Sequence, residues 1–471
     1  MTERLAPDLC IVGAGSGGLA VAAGAAQMGA EVVLIERGLM GGDCLNFGCI
    51  PSKSLLAAAR LAELARRGAA LGIIMGGFGV EFAAAASGVQ QVIAAIAPND
   101  SVERFEGLGV RVLRCEARFT GPRTIRAGDI GIRPRRFVIA TGSQPAVPKI
   151  PGLDTVPYLT NETIFANRAR PDHLIVIGGG PIGIEMAQAH RRLGAQVTVL
   201  DVGPVLPRDD PELVASLTGH LADEGIVIRP GIEVSGLERD RDRIIARLAD
   251  GERITGSHLL VAAGRRPSIE ALDLPAARIE ATAKGITVDE RLRTTNRRAF
   301  AIGDVAGGPQ FTHIALYHAG IVIRNALFKL PAKVDYRALP WVTYTDPELA
   351  QVGLTEAAAR AVGEYPHVLQ WPFSENDRAQ TERETMGFVK AVLRRNGRIL
   401  GASILGAGAG DLILPWALAI SQRLKIGALA NLIVPYPTRG EASKRAAGCY
   451  YTPTLFSPRT RRIVRFLARF G

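Results

Sequence analysis

The sequence predicts an α/β fold with two similar parallel-sheet domains and a third, C-terminal α+β domain. Three observations lead to this prediction: a repeated strand–glycine–helix segment, 53 glycines in 471 residues, and a change of pattern near Pro340. At about 150 residues per domain, the length is that of roughly three domains. A hydrophobic content of 47% with 21% charged residues excludes a disordered chain.

The first repeat begins with the apolar residues 9–12, which lead into a G-x-G-x-x-G pattern at Gly13, Gly15 and Gly18. An alanine-rich segment and a second apolar strand follow, and this strand ends at Glu36, 23 residues after Gly13. In such a turn the first glycine permits the bend, the second admits a pyrophosphate, and the third allows close helix–strand packing. The acid accepts hydrogen bonds from ribose hydroxyls, so the pattern predicts a dinucleotide site.

The second repeat runs from the apolar residues 174–177 through Gly178, Gly180 and Gly183 to Asp201. Gly178 and Asp201 are again 23 residues apart. One such pattern is weak by itself, because a tight turn that binds no ligand can have the same glycines. Two copies, each between a strand and a helix and each with its acid, predict two Rossmann-like dinucleotide-binding domains.

Shorter strand–glycine segments contain Thr141, Gly142, Gly264 and Asp304. The proline-containing residues 144–157 are suited to a crossing between the first two domains.

Cys44 and Cys49 stand five positions apart in the segment from Gly41 to Lys53. Five cysteines in so long a chain do not make a disulfide framework, so this spacing favours a redox pair or a metal site. The sequence predicts no metal, since no third cysteine or cluster of histidines is nearby. Pro51 suits the first turn of a helix, whose partial positive charge favours a Cys49 thiolate, and Lys53 adds to it.

These motifs resemble those of the flavoprotein disulfide reductases, which include dihydrolipoamide dehydrogenase, glutathione reductase and mercuric reductase. The resemblance extends over nearly the whole chain and is most specific in Cys44-x4-Cys49-Ile-Pro-Ser-Lys53. The other segments that carry it are residues 13–18, 140–142, 178–185, 264–267, 301–304 and 344–348. It implies a homodimer with FAD on the first repeat, a nicotinamide dinucleotide on the second, and a C-terminal dimerisation domain. The boundaries expected on this basis are 1–147 with 264–338 for a split FAD domain, 148–263 for the NAD(P) domain, 339–455 for the dimerisation domain, and 456–471 for a basic tail.

The resemblance also implies roles for residues near FAD. Glu36 is expected to bind the adenosine ribose and Asp304 the ribityl chain. The other residues expected at the cofactor sites on this basis are Gly42, Thr141, Gly142 and Gly264. Lys53 and Glu185 are expected to pair near the reactive flavin nitrogen. The alternatives are that Lys53 is a solvated lysine at a helix start and that Glu185 is an ordinary first-turn acid.

In the reaction that the resemblance implies, Cys49 is the flavin-facing, charge-transfer thiolate and Cys44 exchanges with the substrate. Hydride passes from the nicotinamide to FAD, and electrons then pass to the Cys44–Cys49 disulfide and on to an acceptor. Asp201 favours NADH over NADPH, because an acid accepts from a free 2′-hydroxyl and repels a 2′-phosphate. No basic residue follows Asp201 until Arg208.

The C-terminal segment departs from the family pattern, in which the partner subunit supplies His-Pro-Thr-x-x-Glu. Tyr436 stands where the histidine is expected, Glu441 closes the motif, and the last histidine is His367. A tyrosine, with a pKa of ~10, is a poor base near pH 7, whereas a histidine at ~6.5 is well matched. Tyr436 and Glu441 are therefore candidate catalytic residues of a site without its usual base.

A tyrosine at this position resembles mercuric reductase, whose acceptor, a soft metal ion, needs no protonated leaving group. That enzyme also has a C-terminal cysteine pair, whereas this chain has Cys449 alone. The expected acceptor is therefore a thiol, a disulfide or a soft metal ion. The alternatives are a dihydrolipoamide dehydrogenase with another base, a membrane-surface NADH:quinone reductase, and a redox sensor without turnover.

The net charge of +11 is concentrated at the C-terminus. Seven basic residues and no acid follow Glu441, which leaves +4 for the first 441 residues and argues against nucleic-acid binding. In residues 457–471, apolar side chains recur at 463, 466, 467 and 470 with arginines between them. This pattern predicts a basic amphipathic helix, which contacts a membrane or a protein, or packs on its own chain. We expect a cytoplasmic enzyme, with the apolar residues 399–420 buried rather than membrane-spanning.

Overall fold

The computed structural model describes residues 3–74 and 76–470. The chain divides into two compact units, of which the first contains the described residues up to Val202 and then Gly231–Val334. The second contains Gly203–Pro230 and the chain from Asp335 onward. The predicted α/β fold with parallel-sheet domains and a separate C-terminal domain is confirmed. The expected four-part boundaries stay a prediction, since this division groups residues 203–230 with the C-terminal part.

The first repeat forms the centre of a five-stranded parallel sheet in the first unit. In spatial order its strands are Ala299–Ala301, Arg136–Ile139, Leu9–Val12, Val32–Ile35 and Arg111–Leu113. The helices Ser16–Gln27 and Thr312–Ala326 contribute to one apolar cluster with this sheet. Burial on both faces explains why these strands are continuous apolar runs instead of alternating patterns.

The second repeat forms a parallel sheet of the same design. The strand His173–Ile177 lies between Gln196–Asp201 and His258–Val261, and the helix Pro181–Arg192 follows the glycine turn. The first and second repeats therefore have the same order of strand, turn, helix and strand.

Smaller elements complete the first unit. Its other strands are Arg4–Leu5, Ala117–Gly121, Thr124–Ala127, Ile130–Ile132, Ser143–Pro145, Val234–Asp240, Arg243–Leu248, Arg253–Gly256, Arg265–Pro267, Ala281–Thr282 and Gly285–Ile286. Its other α-helices are Gly42–Asn46, Cys49–Arg67, Phe82–Ile96 and Val102–Gly107. Its 3-10 turns are Gly68–Leu71, Ala97–Asp100, Leu153–Thr155, Ile164–Ala166, Glu270–Leu272 and Gly303–Ala306.

The second unit is built on a five-stranded antiparallel sheet. In spatial order its strands are Pro340–Thr343, Glu348–Gly353, Ile399–Gly406, Phe388–Leu393 and His367–Pro372. The unit also contains the strand Ile226–Pro230 and the 3-10 turn Phe373–Glu375. Its helices are Pro211–Asp223, Glu356–Ala361, Asp377–Glu382, Ala409–Leu412, Leu414–Ser421, Gly427–Ala430, Glu441–Gly448, Thr452–Leu455 and Pro458–Leu467.

The long apolar segment at residues 399–420 contributes to the core of this second unit. Trp416 is fully buried there, and its indole N–H donates to Ser443 Oγ at 3.0 Å. Within the part of the chain that the structure describes, no helix is long and apolar enough to cross a membrane.

A buried lysine joins the two sequence segments of the second unit. Lys390, of which 5% of the side chain is exposed, lies 3.1 Å from Asp210, 2.9 Å from Glu212 and 3.3 Å from Glu356. Because Asp210 and Glu212 stand at the start of the helix Pro211–Asp223, these ion pairs fix that helix to the antiparallel sheet. A buried charge without such partners would cost several kcal/mol, of order 3–5.

The two glycine turns depend on very close backbone packing. A Cβ atom at Gly18 would lie 1.9 Å from the carbonyl oxygen of Gly13, and one at Gly183 would lie 1.9 Å from that of Gly178. Gly13 and Gly178 have φ angles of +105° and +119°, which L-residues with side chains rarely adopt. Each helix can therefore begin against its strand only because these positions lack a side chain.

We predict that Gly183→Ala lowers the free energy of unfolding by about 3 kcal/mol or more, because the new methyl group overlaps a carbonyl that cannot withdraw. Urea unfolding followed by circular dichroism measures this change. The matched control is Gly180→Ala, where no atom lies within 4 Å of the added Cβ. The packing argument requires this control to cost less than about 1 kcal/mol, and equal losses in the two variants would contradict it.

Candidate active site

The two cysteines lie where one helix ends and the next begins. Cys44 is in the short helix Gly42–Asn46, and Cys49 is the first residue of the helix Cys49–Arg67, called the redox helix below. Gly48 precedes the redox helix, and a Cβ atom there would lie 3.0 Å from Asp43 Oδ2. The backbone thus turns sharply between the cysteines, and Cys49 lies at the partially positive N-terminus of a 19-residue helix.

The two thiols have opposite protonation preferences. A hydrogen bond from the Cys44 thiol, aided by Thr312 and the charge of Lys53 and opposed by burial, lowers the pKa of Cys49 to about 6. Cys49 Sγ lies 3.2 Å from Thr312 Oγ1 at the start of the helix Thr312–Ala326. The hydrogen bond that Cys44 donates to Cys49, together with burial, raises the pKa of Cys44. The reduced pair therefore holds its proton on Cys44 and its negative charge on Cys49.

A lysine–glutamate pair joins the redox helix to the second repeat. Lys53 Nζ donates to Glu185 Oε2 at 2.9 Å, and only 5% of the Glu185 side chain is exposed. Lys53 lies one helical turn after Cys49, so its charge contributes to the low pKa of that thiol. Glu185 lies in the helix Pro181–Arg192, which follows the second glycine turn.

Both glycine turns have an equivalent hydrogen bond, from a backbone N–H to a side-chain carboxylate. In the first repeat the Ala14 N–H donates to Glu36 Oε2 at 2.6 Å, and in the second the Gly179 N–H donates to Asp201 Oδ2 at 2.5 Å. Each donor is the residue directly after the first glycine. The carboxylates are thus held beside the turns in which the second and third glycines expose the backbone.

The surroundings of the first turn fit a bound dinucleotide. A Cβ atom at Gly42, which has a φ of +60°, would lie 2.6 Å from the Cα of Gly15, so two glycines bring separate backbone segments together. Among the described residues, the buried Thr141 Oγ1 has no hydrogen-bond partner. Gly142 next to it adopts a φ of +67°. A buried hydroxyl without a partner beside a glycine-lined turn is consistent with a polar ligand that completes the hydrogen bond.

Asp304 lies in a polar network that the sequence analysis missed. The Ser143 hydroxyl donates to Asp304 Oδ2 at 2.5 Å, and Arg265 Nε donates to the Ser143 hydroxyl at 2.7 Å. Arg265 also lies 3.2 Å from Asp43, which accepts from Asn161 Nδ2 at 3.0 Å. Burial raises the pKa of Asp304. The Gly264-Arg-Arg-Pro motif includes Arg265, but nothing in that motif predicts that Arg265 contacts Ser143 and Asp43.

His318 supports the turn that carries Asp304. The Gly303 N–H donates to His318 Nδ1 at 3.1 Å, and burial lowers the pKa of His318 to about 4. The imidazole is therefore neutral at physiological pH and acts as an acceptor for the backbone.

Tyr436 and Glu441 lie in the second unit, whereas both cysteines lie in the first. The Tyr436 side chain is 70% exposed, and its hydroxyl donates to Asp377 Oδ2 at 2.9 Å. This hydrogen bond and the charge of Asp377 raise the pKa of Tyr436, which makes it a still poorer base near neutral pH. Glu441 begins the helix Glu441–Gly448, where an acid is favoured by the helix dipole.

No group of three or more His, Cys, Asp or Glu side chains in residues 3–74 and 76–470 is placed to bind a metal ion. The described site is thus a thiol pair, a lysine–glutamate pair and two glycine turns.

Comparison with known families identifies this arrangement. The family described as pyridine nucleotide-disulphide oxidoreductase matches residues 7–319, and its dimerisation domain matches residues 339–447. The chain belongs to the pyridine nucleotide-disulphide oxidoreductases. The dimerisation-domain match supports a homodimer, and the predicted resemblance to flavoprotein disulfide reductases is confirmed.

Relatives of this oxidoreductase have two different names. A mercuric reductase of Streptomyces lividans is 37% identical over 455 residues, which cover 93% of this chain and 95% of the relative. A dihydrolipoyl dehydrogenase of Geobacillus stearothermophilus is 35% identical over 452 residues, with the same coverage. The oxidoreductase is therefore an NAD(P)H-dependent FAD flavoprotein reductase.

Solved structures of the family have the same fold. The Cu(II) complex of the HOCl-induced flavoprotein disulfide reductase RclA from Escherichia coli has a TM-score of 0.85 and 28% identity, covering 93% of this chain and 98% of that one. LpdA from Mycobacterium tuberculosis has a TM-score of 0.87 and 26% identity, covering 95% and 99%.

We predict that the Cys49 thiolate of the reduced oxidoreductase is present at pH 7 and is lost as the pH falls through about 6, because its pKa is lowered to that value. Thr312→Val removes a hydroxyl that donates to the thiolate, so the midpoint should rise by about one pH unit. A titration of thiolate ultraviolet absorbance measures both midpoints.

Cys49→Ser supplies the baseline for this titration, and Thr312→Ser is the conservative control, since it keeps the hydroxyl and should keep the midpoint. A wild-type midpoint near the ordinary cysteine value of ~8.5 would show that Cys49 is not the stabilised thiolate.

Proposed function

We propose that this oxidoreductase passes electrons from NADH to the Cys44–Cys49 pair and from Cys44 to a soft metal ion, with a disulfide as the second candidate acceptor. The observation that carries the proposal is the polarised thiol pair, in which Cys49 holds the charge and Cys44 the proton. FAD, when bound, supplies the acceptor for the nicotinamide hydride and returns the electron pair to the disulfide.

The cofactors have one proposed set of residues each. FAD would be held by Gly13, Gly15, Gly18, Glu36, Gly42, Lys53, Thr141, Gly142 and Asp304, and the nicotinamide dinucleotide by Gly178, Gly180, Gly183, Asp201 and Gly264. Lys53 and Glu185 would keep their ion pair beside the thiols, so that the lysine charge stabilises the Cys49 thiolate. We also propose that the domain boundaries and the cytoplasmic location expected from the sequence apply.

With a soft divalent metal ion, both sulfurs bind the ion and the Cys44 proton leaves to solvent. Two electrons from the pair reduce the ion to the neutral metal, and the sulfurs close to the Cys44–Cys49 disulfide. This acceptor is favoured because no leaving group has to be protonated. Tyr436, whose pKa is raised by Asp377, supplies no base near neutral pH.

With a disulfide acceptor, the Cys49 thiolate takes the proton from Cys44, and the Cys44 sulfur attacks one sulfur of the acceptor. The acceptor S–S bond breaks and its first thiolate leaves with the proton that Cys49 held. Cys49 then attacks Cys44 Sγ, which releases the second thiolate and restores the Cys44–Cys49 disulfide. The dihydrolipoyl dehydrogenase relative supports this second candidate.

We predict that anaerobic NADH oxidation by the wild-type enzyme is fast with a soft metal ion and at least about 100-fold slower with lipoamide, because general-base help is typically worth 10²–10⁴ in rate. Parallel assays with the two acceptors measure the ratio. Cys44→Ser should abolish both reactions while leaving quinone reduction largely unchanged, since a quinone takes electrons without the thiols. Metal-dependent turnover that survives in Cys44→Ser would overturn the proposal. It would also be overturned if the wild-type enzyme turned over neither acceptor.

Tyr436→His tests the missing base in the same assay. If the base limits the reaction with lipoamide, the rate should rise at least tenfold, and Tyr436→Phe should show no rise. Fast lipoamide turnover in the wild type would instead favour a dihydrolipoamide dehydrogenase in which another residue serves as the base.

For the nicotinamide we propose NADH, on the position of Asp201 beside the second glycine turn. Asp201→Asn keeps an acceptor for the Gly179 N–H and removes the negative charge. We predict that the KM for NADPH falls by about fivefold in this variant, the effect of removing one unit-charge repulsion at ~4 Å in water, while the KM for NADH changes less.

The control for this substitution is Asp242→Asn, an exposed acid in a turn between two strands of the first unit. Steady-state kinetics with each nucleotide give the ratios. Wild-type kcat/KM higher for NADPH than for NADH would contradict the assignment.

A further inference from the structure

We infer that the C-terminal helix Pro458–Leu467, called the tail helix below, binds the surface of an anionic lipid bilayer. This inference goes beyond the proposed function, because it concerns a surface that contains none of the residues assigned to the cofactors or thiols. The dimerisation-domain match ends at residue 447, so the tail helix lies outside the part of the chain that the family pattern accounts for.

The tail helix is well formed and well oriented. Ser457 caps it by accepting a hydrogen bond from the Thr460 N–H at 3.2 Å, and Pro458 occupies its first turn. The Thr460 hydroxyl donates to the Thr454 carbonyl at 2.7 Å, which fixes the helix to the preceding helix Thr452–Leu455. These interactions fix where the helix begins, and they hold it against the preceding helix.

One face of the tail helix is apolar and exposed. Successive residues of an α-helix are rotated by about 100°, which places Ile463, Val464, Phe466 and Leu467 on one side. All four side chains are about half exposed or more, and Phe470, Leu455 and Phe456 add further exposed apolar area. No residue of the tail helix is buried.

The opposite face is cationic. The same rotation places Arg461 and Arg465 opposite the apolar side chains and Arg462 at the edge of the apolar face. Arg459, in the first turn, lies on the apolar side. No acidic residue follows Glu441 in the sequence, so this charge is not balanced within the tail. A bilayer interface satisfies both faces at once, because acyl chains take the apolar side and anionic headgroups attract the arginines.

The two chemistries together favour lipid over the other partners that a basic helix could bind. Nucleic acid would use the arginines and leave Phe466 and Leu467 in water. A second copy of this tail would cover the apolar face but leave the arginines without counter-charges.

The test uses the full-length holoenzyme and two kinds of vesicle. We expect the wild type to sediment with vesicles of equimolar phosphatidylglycerol and phosphatidylcholine, to stay in the supernatant with pure phosphatidylcholine, and to be released as salt rises. Arg461→Gln with Arg465→Gln should weaken binding about 20–30-fold, at roughly fivefold per arginine. Phe466→Ser with Leu467→Ser should weaken it at least tenfold.

The matched control is Arg123→Gln with Arg395→Gln, which removes two exposed arginines outside the tail and should bind as the wild type does. Analytical ultracentrifugation and NADH oxidation of each variant check that the dimer and its basal activity persist. Cys44→Ser should bind vesicles normally, so failure of the proposed reaction and failure of this inference can be told apart.

Three outcomes would overturn the inference. The wild type could fail to sediment with the anionic vesicles, or it could bind neutral and anionic vesicles equally. The serine variant could dissociate the dimer, which would show that the apolar face packs against a second copy.

Discussion

The site depends on a close backbone contact, in which a carbonyl oxygen occupies the space that the Cβ of any residue other than glycine would fill. It occurs twice, where the Gly13 carbonyl packs against Gly18 and the Gly178 carbonyl packs against Gly183. In the first turn, the Gly41 N–H donates to the Ala14 carbonyl at 3.0 Å, so the same turn holds the segment that leads to Cys44. The distance between the first glycine turn and the thiols is therefore set by close packing of backbone atoms.

In the thiol pair, a few interactions are enough to separate the proton from the negative charge. One hydrogen bond between Cys44 and Cys49 changes the pKa values of the two thiols in opposite directions. A helix N-terminus, the Thr312 hydroxyl and the Lys53 charge then stabilise the thiolate that results. The reduced pair thus holds one proton and one negative charge on different sulfurs, before any acceptor binds.

The repeats, the parallel sheets and the helix start at the cysteines could be predicted from the sequence, because each is a local pattern of apolar runs and glycines. The contacts that complete the site could not. Thr312 and Cys49 are 263 residues apart, and nothing in the local pattern around Thr312 indicates a thiol partner. The ion pair of Arg265 with Asp43 likewise depends on how distant segments pack. The ion pairs of Lys390 with Asp210 and Glu212 could not be predicted either, because these residues are 180 and 178 positions apart in the chain.

Those ion pairs have a consequence for the order in which the chain is made. Asp210 and Glu212 leave the ribosome 180 and 178 residues before Lys390, the residue that neutralises them. At 5–20 residues per second, Lys390 is synthesised about 10–40 s after the helix Pro211–Asp223. During this interval the helix, whose buried side chains are Leu213, Leu217 and Leu221, also lacks the strand Ile399–Gly406 that it contacts. The second unit is therefore completed only after residues 388–406 have been synthesised.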